Sequence, residues 1–370
     1  MTEQPLHIGI QQRVLPAYRI PFFDMLAELY RGKVSIFYGN ARSHEMLQTN
    51  AVPEVALHQR GKNIHLFSGK FYLCWQVGLL PWLQAWNPDV LIMEANPRYL
   101  NSRRAIGWMK AHHRKVIGWG LGSPNSSGWL GRMRTQQRRR FISKFDALIT
   151  YSQQGAEEYQ ALDYARERIF VAPNAVAASP NHPAPRRTMQ YEFNRPHVLF
   201  VGRLQERKRV DILINACAQL NEEIQPHLHV VGDGPARSAL QELAQQCYLE
   251  TTFYGAMHGK DLETLFKKAD LFVLPGTGGL AVQEAMSYAL PVIVGEADGT
   301  QSNLVRSDNG WVMQHGNAEE LADILREALR DIANLRKKGS ASYAIVRDEV
   351  NLEAMVRAFE QAIITVMKDR

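Results

Sequence analysis

His197-Val-Leu-Phe-Val-Gly-Arg-Leu-Gln-Glu-Arg-Lys-Arg209 begins as an apolar run of strand length, stops at a glycine and passes into a cationic turn. A run this apolar suits a strand covered on both faces, and the glycine lets the chain turn with a ligand close to its backbone. A helical pattern, Arg209–Leu220, follows it. Strand, glycine turn and helix form the repeating unit of a parallel sheet, and the same order recurs downstream. Leu228–Val231, Thr252–Tyr254, Leu271–Leu274 and Pro291–Val294 read as strands. Pro235–Cys247, Lys260–Ala269, Leu280–Tyr288 and Glu319–Leu329 read as helices.

Upstream, the grammar is the same. His7–Ile10, Val34–Tyr38, Val90–Met93, Val116–Trp119 and Ala147–Thr150 are short apolar strands, with helical patterns such as Pro21–Tyr30 and Arg98–His112 between them. Phe71–Trp86 is interrupted by Gln76, Pro81 and Gln84 and reads as a buried or interfacial helix kinked at its proline. The proline-rich polar stretch before Pro196 has no period and reads as a linker. The expected fold class is α/β, with two doubly wound Rossmann-like domains facing across a cleft. Residues 1–180 form the first domain, 181–196 the linker and 197–350 the second domain. A C-terminal helix over 351–370 is expected to pack back on the first domain.

Bulk composition narrows the class. A 370-residue chain suits two cores, and 45% hydrophobic with 22% charged residues is ordinary for a globular protein. Cys74, Cys217 and Cys247 are scattered, which argues against a disulfide framework or a zinc site and fits a reducing cytoplasm. The first residues lack the basic and apolar regions of a signal peptide, and no apolar run reaches the length of a membrane span. A net charge of +6 favours anionic partners. Arg132, Arg134, Arg138, Arg139, Arg140 and Lys144 crowd one segment, Arg132–Lys144. They read either as a solvated helical face or as a surface for an anionic membrane. No recognised nucleic-acid module accompanies them.

Two segments carry chemistry. After Gly202, Arg203 follows a strand and Lys208 lies near the next helix, where two cations could neutralise a pyrophosphate. In Leu274-Pro-Gly-Thr-Gly-Gly-Leu-Ala-Val-Gln-Glu-Ala-Met286, glycines Gly276, Gly278 and Gly279 link a strand to a helix start, a natural anion site. Glu284, about one turn into that helix, could accept from ribose hydroxyls. Each segment also has a plain reading, as exposed cations at a loop and as a glycine turn with a favourable helix dipole.

Taken together, Val201–Lys208, Val231-Gly-Asp-Gly-Pro235, Phe253–Gly255 and Pro275–Ile293 resemble the retaining glycosyltransferases of family 4, which have the GT-B fold. The matches run in order over about 95 residues, with Gly-Gly-Leu-Ala as a variant of the donor loop. The resemblance implies that Arg203 and Lys208 contact the donor diphosphate and assist its departure. It implies that Glu284 binds the donor ribose and that backbone near Tyr254, Gly255, Ala256 and Met257 faces the base. Gly276, Thr277, Gly278, Gly279 and Leu280 would surround phosphate or sugar oxygens. The implied donor is a UDP or GDP sugar and the acceptor a hydroxyl of a glycan or lipid-linked glycan, made at the inner membrane face. No Asp-x-Asp metal motif stands in a suitable loop, so no cofactor or metal is expected. The chain departs from the family at Gly276, where relatives often carry a sugar-contacting glutamate, and at Ala175-Val176, which no Asp follows.

The first domain matches the family less closely. Arg13, Tyr18 and Arg19 in its first loop, and Glu94 and Asn96 after its Val90–Met93 strand, are candidates for the acceptor side by the rule that ligands bind at strand carboxyl ends. The first three read equally well as loop-fixing residues. Two other readings stay open, a nucleotide-sugar epimerase of the same fold and a non-catalytic sugar-nucleotide-binding protein.

Overall fold

A computed structural model describes residues 6–42, 45, 51–123, 128–180, 183–192, 195–277, 280–295 and 304–368. Among them the chain runs β1 (Ile8–Val14), α1 (Ile20–Leu29), β2 (Val34–Gly39), β3 (Leu57–Arg60), β4 (Lys62–Leu66), β5 (Leu73–Val77), α2 (Leu79–Trp86), β6 (Val90–Glu94), α3 (Ser102–Ala111), β7 (Lys115–Gly120), α4 (Gly128–Ile142), β8 (Ala147–Thr150), α5 (Gln153–Gln160) and β9 (Ile169–Val171). It continues through β10 (His197–Val201), α6 (Val210–Ala218), β11 (His227–Val231), α7 (Arg237–Cys247), β12 (Thr251–Gly255), α8 (Gly259–Lys268), β13 (Leu271–Leu274), α9 (Leu280–Ser287), β14 (Val292–Gly295) and β15 (Gly310–Met313). Three helices close it: α10 (Ala318–Arg330), α11 (Ile332–Asp348) and α12 (Leu352–Lys368).

The chain divides into two compact units, 1–176 with 352–370, and 177–351. The first holds a parallel sheet of order β3-β2-β1-β6-β7-β8-β9, with β4 and β5 paired as a separate antiparallel hairpin. The second holds a parallel sheet of order β12-β11-β10-β13-β14-β15, the doubly wound order with its switch point between β10 and β13. Parallel strands need helical crossovers on both faces, so they are buried on both sides; β2, β8, β13 and β14 are buried throughout.

In the first unit, α12 packs against α1 on one face of the sheet. Phe359 is fully buried, with ring centroids 4.8 Å from both Phe22 and Trp119. Trp82, Met109, Phe141 and Tyr159 cover the other face. In the second unit, Arg187 anchors the chain entering the sheet by donating to the Phe266 and Tyr288 carbonyls at 3.0 and 2.9 Å. Tyr191 Oη donates to the Leu329 carbonyl at 2.8 Å. The stretch read as a linker is therefore fastened to the second unit over its described residues.

One helix expectation fails. Phe71–Trp86 is not a kinked helix: it comprises β5, a left-handed Gly78 with φ 93°, and α2, in whose first turn Pro81 sits. A proline there costs no hydrogen bond, so it starts the helix instead of bending it. Gln76, which looked like an interruption, is 2% exposed; its side chain pairs with Gln11 and donates to the Gln12 carbonyl at 3.0 Å. Buried amides with partners of this kind are invisible to hydropathy.

Candidate active site

The loops at the carboxyl ends of β10, β11, β13 and β14 interlock through glycines. Gly202 N–H donates to the Val231 carbonyl at 3.0 Å, and Gly232 N–H to the Gly255 carbonyl at 2.7 Å. A Cβ on Gly232 would lie 1.8 Å from the Gly202 oxygen, and one on Gly276 would lie 2.1 Å from the Arg207 oxygen and 2.5 Å from the Lys208 Cα. Gly295 is similarly tight, 2.0 Å from the Pro275 oxygen. Only glycine lets these backbones approach so closely, and the result is a floor of main chain at the switch point.

Lys208 closes this floor. Its Nζ donates to the Thr277 carbonyl at 2.6 Å, while Thr277 N–H donates back to the Arg207 carbonyl at 3.1 Å. Arg207 Nη1 also donates to Thr277 Oγ1 at 3.0 Å. The two segments singled out in the sequence, the cationic turn after Gly202 and the glycine-rich loop after Leu274, thus meet side by side. Partial burial, and then the neighbouring Arg207, lower the Lys208 pKa to about 8. Arg203 is exposed just beyond β10. Gly278 and Gly279 lie outside the described residues; Leu280 is described only as the first residue of α9.

Glu284 sits on α9, and burial of its carboxyl raises its pKa while the charge of His258 opposes the shift. The residue as a whole is exposed, and partial burial around its carboxyl accounts for the direction of the shift. His258, which stands at the N-cap of α8, brings the segment after β12 to the same neighbourhood. Gly255 is left-handed at φ 76°, Ala256 is exposed and Met257 packs partly into the core. The Tyr254 ring belongs to a polar ladder: its Oη lies 2.7 Å from His229 Nδ1, and His229 Nε2 lies 2.9 Å from His197 Nδ1. Its side chain is thereby committed to the sheet face.

Sequence reasoning passed over three residues here. Arg207 holds the Thr277 hydroxyl, His258 faces Glu284, and Arg237 bonds Asp233 at 3.4 Å beside Gly255. Arg207 lies inside the quoted cationic turn, so its charge was the available signal; the other two are legible only once β11 and β12 are paired.

In the first unit, the residues singled out for the acceptor side lie at the carboxyl ends of β1 and β6, and Arg19 meets Tyr151 at the end of β8. Arg19 is 7% exposed, lies over the Trp119 and Tyr151 rings at 4.5 and 5.1 Å, and donates from Nη2 to Tyr151 Oη at 2.9 Å. Tyr18 also stacks with it, at 5.6 Å. Arg13 pairs with Glu45 at 2.9 Å. Burial pushes the Glu94 carboxyl pKa up, against hydrogen bonds from the Arg13 backbone and Tyr99 and the charges of Arg13 and Arg19. Arg19 Nη1 and Glu94 Oε2 are buried polar atoms without a protein partner. Asn96 differs from the others, since its Oδ1 caps the Arg98 N–H at 3.1 Å and fixes the local turn.

The fold and this switch-point site define a class. Two Rossmann-like α/β units of this kind are those of glycosyltransferases with the GT-B fold. Anabaena HepE solved in complex with UDP superposes with a TM-score of 0.69 at 18% identity, over 97% of this chain and 99% of that one. Residues 189–343 match the family described as "Glycosyl transferases group 1", so the second unit carries a domain of that kind. An uncharacterized glycosyltransferase of Methanocaldococcus jannaschii is 32% identical over 133 residues, 34% of either chain. A GDP-mannose-dependent alpha-(1-6)-phosphatidylinositol monomannoside mannosyltransferase of Mycobacterium tuberculosis is 28% identical over 165 residues, 40% of this chain and 43% of that one. The chain thus spans less than half the length of these curated relatives.

Proposed function

We propose that this chain is a retaining glycosyltransferase that moves a sugar from a UDP- or GDP-linked donor to a hydroxyl acceptor in cell-surface polysaccharide or glycolipid assembly. The observation that carries the reading is the joining of Lys208 to the Thr277 loop over a glycine floor at the β10/β13 switch point. Negative charge grows on the diphosphate oxygens as the glycosidic bond breaks. Arg203, in the turn after β10, and Lys208, tied to the Thr277 carbonyl, stabilise that charge more in the transition state than in the ground state. We assign this role to the side chains and to no resident metal. Glu284 accepts from the ribose, and the main chain from Gly255 to Met257 lies along the base. In the first unit, Arg13, Arg19 and Glu94 hold the acceptor. Work at the inner membrane face follows from this reading, with the basic α4 segment toward anionic headgroups.

The relatives support it in kind: the HepE structure contains UDP, and the mycobacterial enzyme's name specifies GDP-mannose. The test is a thermal-shift panel of nucleoside diphosphates and sugar nucleotides, followed by transfer assays. A matching nucleotide should raise the melting temperature, and the Arg203→Ala/Lys208→Ala double variant should lose turnover by about 10²-fold or more while keeping its fold. Unchanged turnover in that variant removes the mechanism. Conversion of donor without acceptor would mark an epimerase instead, and binding without any transfer a non-catalytic protein.

A further inference from the structure

Charge is sharply segregated along this chain. Between Val55 and Phe145 there are fifteen lysines and arginines but two acidic residues, Asp89 and Glu94, whereas the whole chain nets only +6. Asp89 offsets one of these charges, pairing with Arg114 at 2.5 Å, and Glu94 is buried with its pKa raised. The same stretch contains the β4–β5 hairpin, whose base and tip are built in opposite ways.

The base is pinned. Asn63 Nδ2 donates to the Arg13 and Asn40 carbonyls at 2.7 and 2.9 Å, Gln76 N–H donates to Asn101 Oδ1 at 2.9 Å, and Tyr72 Oη meets His65 Nδ1 at 2.9 Å. The tip is apolar and open to solvent, with Phe67 72% and Phe71 79% exposed. Phe67 also has a left-handed backbone, φ 59°, a conformation disfavoured for a bulky residue. A cavity of about 690 Å³ opens between Phe67, Ser68, Phe71, Tyr72, Leu73 and Arg98. Two exposed aromatics, one on a strained backbone, beside Arg98 at an open cavity mark a surface suited to a partner.

We infer that the Phe67–Phe71 tip inserts into an anionic membrane surface, the surrounding basic residues meeting the lipid headgroups. A second copy of the chain is a poor occupant, because it would bring the same positive field against itself. Apolar side chains with Arg98 lining the cavity beside them, Arg42 over the Tyr72 ring at 3.8 Å and Lys70 between them in sequence match the boundary between acyl chains and anionic headgroups. This differs from docking through α4 alone, in which charge would suffice and the two phenylalanines would be idle. On the transferase reading above, the hairpin base touches the Arg13–Glu94 site through the Asn63–Arg13 bond, which ties the membrane-inserting hairpin to the residues assigned to the acceptor.

The experiment is co-sedimentation of the full chain with vesicles of phosphatidylcholine, with and without about 30% phosphatidylglycerol. The protein should partition onto the anionic vesicles and be released by about 0.5 M salt. Phe67→Ser/Phe71→Ser should lower the partition coefficient by about tenfold or more, with an unchanged melting temperature and unchanged nucleotide response. In Phe67→Trp, brominated lipid should quench the indole. Wild-type protein left in the supernatant overturns the inference. So does a serine variant that binds as well as wild type, or light scattering that shows a tip-dependent dimer. Vesicle binding that survives while no nucleotide shifts the melting temperature would overturn the transferase reading and leave the membrane inference standing.

Discussion

Lys208 carries the clearest consequence of its surroundings. A free ammonium titrates near 10.5, but here burial and Arg207 bring it to about 8, so it loses its charge within an accessible range. On the proposed mechanism, kcat/KM should fall as pH rises through about 8, because that parameter reports the free enzyme. Lys208→Arg should retain part of the activity and remove that limb, since guanidinium stays charged; a limb that persists in it belongs to another group. The sign for folding is opposite. The unfolded chain binds more protons between pH 8 and 10.5, so this residue's share of stability increases across that window. Gly232 supplies a steric prediction. At φ 138°, with the Gly202 oxygen 1.8 Å from any Cβ, Gly232→Ala should destabilise the second unit by about 2 kcal/mol or more, measured by urea unfolding.

Among the elements, α12 is distant in sequence from the sheet it covers, yet it supplies Leu352, Met355, Val356, Phe359, Ala362, Ile363 and Val366 to that core. Its apolar positions follow the helical period, so its existence is plain from the residues alone. Phe359→Ala should cost about 3–5 kcal/mol, because Phe22 and Trp119 cannot both close on the cavity. Calorimetry should show the loss in the transition of the first unit, with the second unit's transition unmoved; equal shifts in both would contradict the division at 351/352. The β4–β5 hairpin teaches the reverse lesson. Its alternation is masked by buried Asn63 and Gln76, whose partners come from β1, from Asn40 after β2 and from Asn101 before α3.

At the scale of the molecule, ionisable groups set its response to acid. His197, His227 and His229 stack on neighbouring strands with ring centroids 4.6–5.9 Å apart, and burial lowers all three pKa values, with Lys268 adding to the shift in each, Arg195 at His227, His227 at His197, and both other histidines at His229, which falls to about 3. Asp270 and Glu192 oppose the shift at His197, and Glu250 at His227. These rings fold neutral, whereas the unfolded chain takes up protons near pH 6.5, so their contribution is complete above 6.5 and is lost as pH falls towards 3. Urea midpoints measured between about pH 7 and 5 should fall, and His229→Gln should flatten that slope by removing one of the three titrating groups. A slope identical to wild type would place the acid sensitivity elsewhere.

The alternation of short apolar runs with helical patterns determined by itself that the chain is α/β with parallel sheets, because strand and helix periods are local properties of consecutive residues. The glycine-bearing turns after Val201, Val231 and Leu274 were legible for the same reason. Tertiary structure alone decided which loops touch. It set Lys208 against the Thr277 carbonyl, brought Arg19 over the Trp119 and Tyr151 rings, and turned Phe71–Trp86 into a strand, a turn and a helix. Those outcomes rest on strand order and on hydrogen bonds between distant residues, and a pairing of that kind has no signature in the local run of side chains.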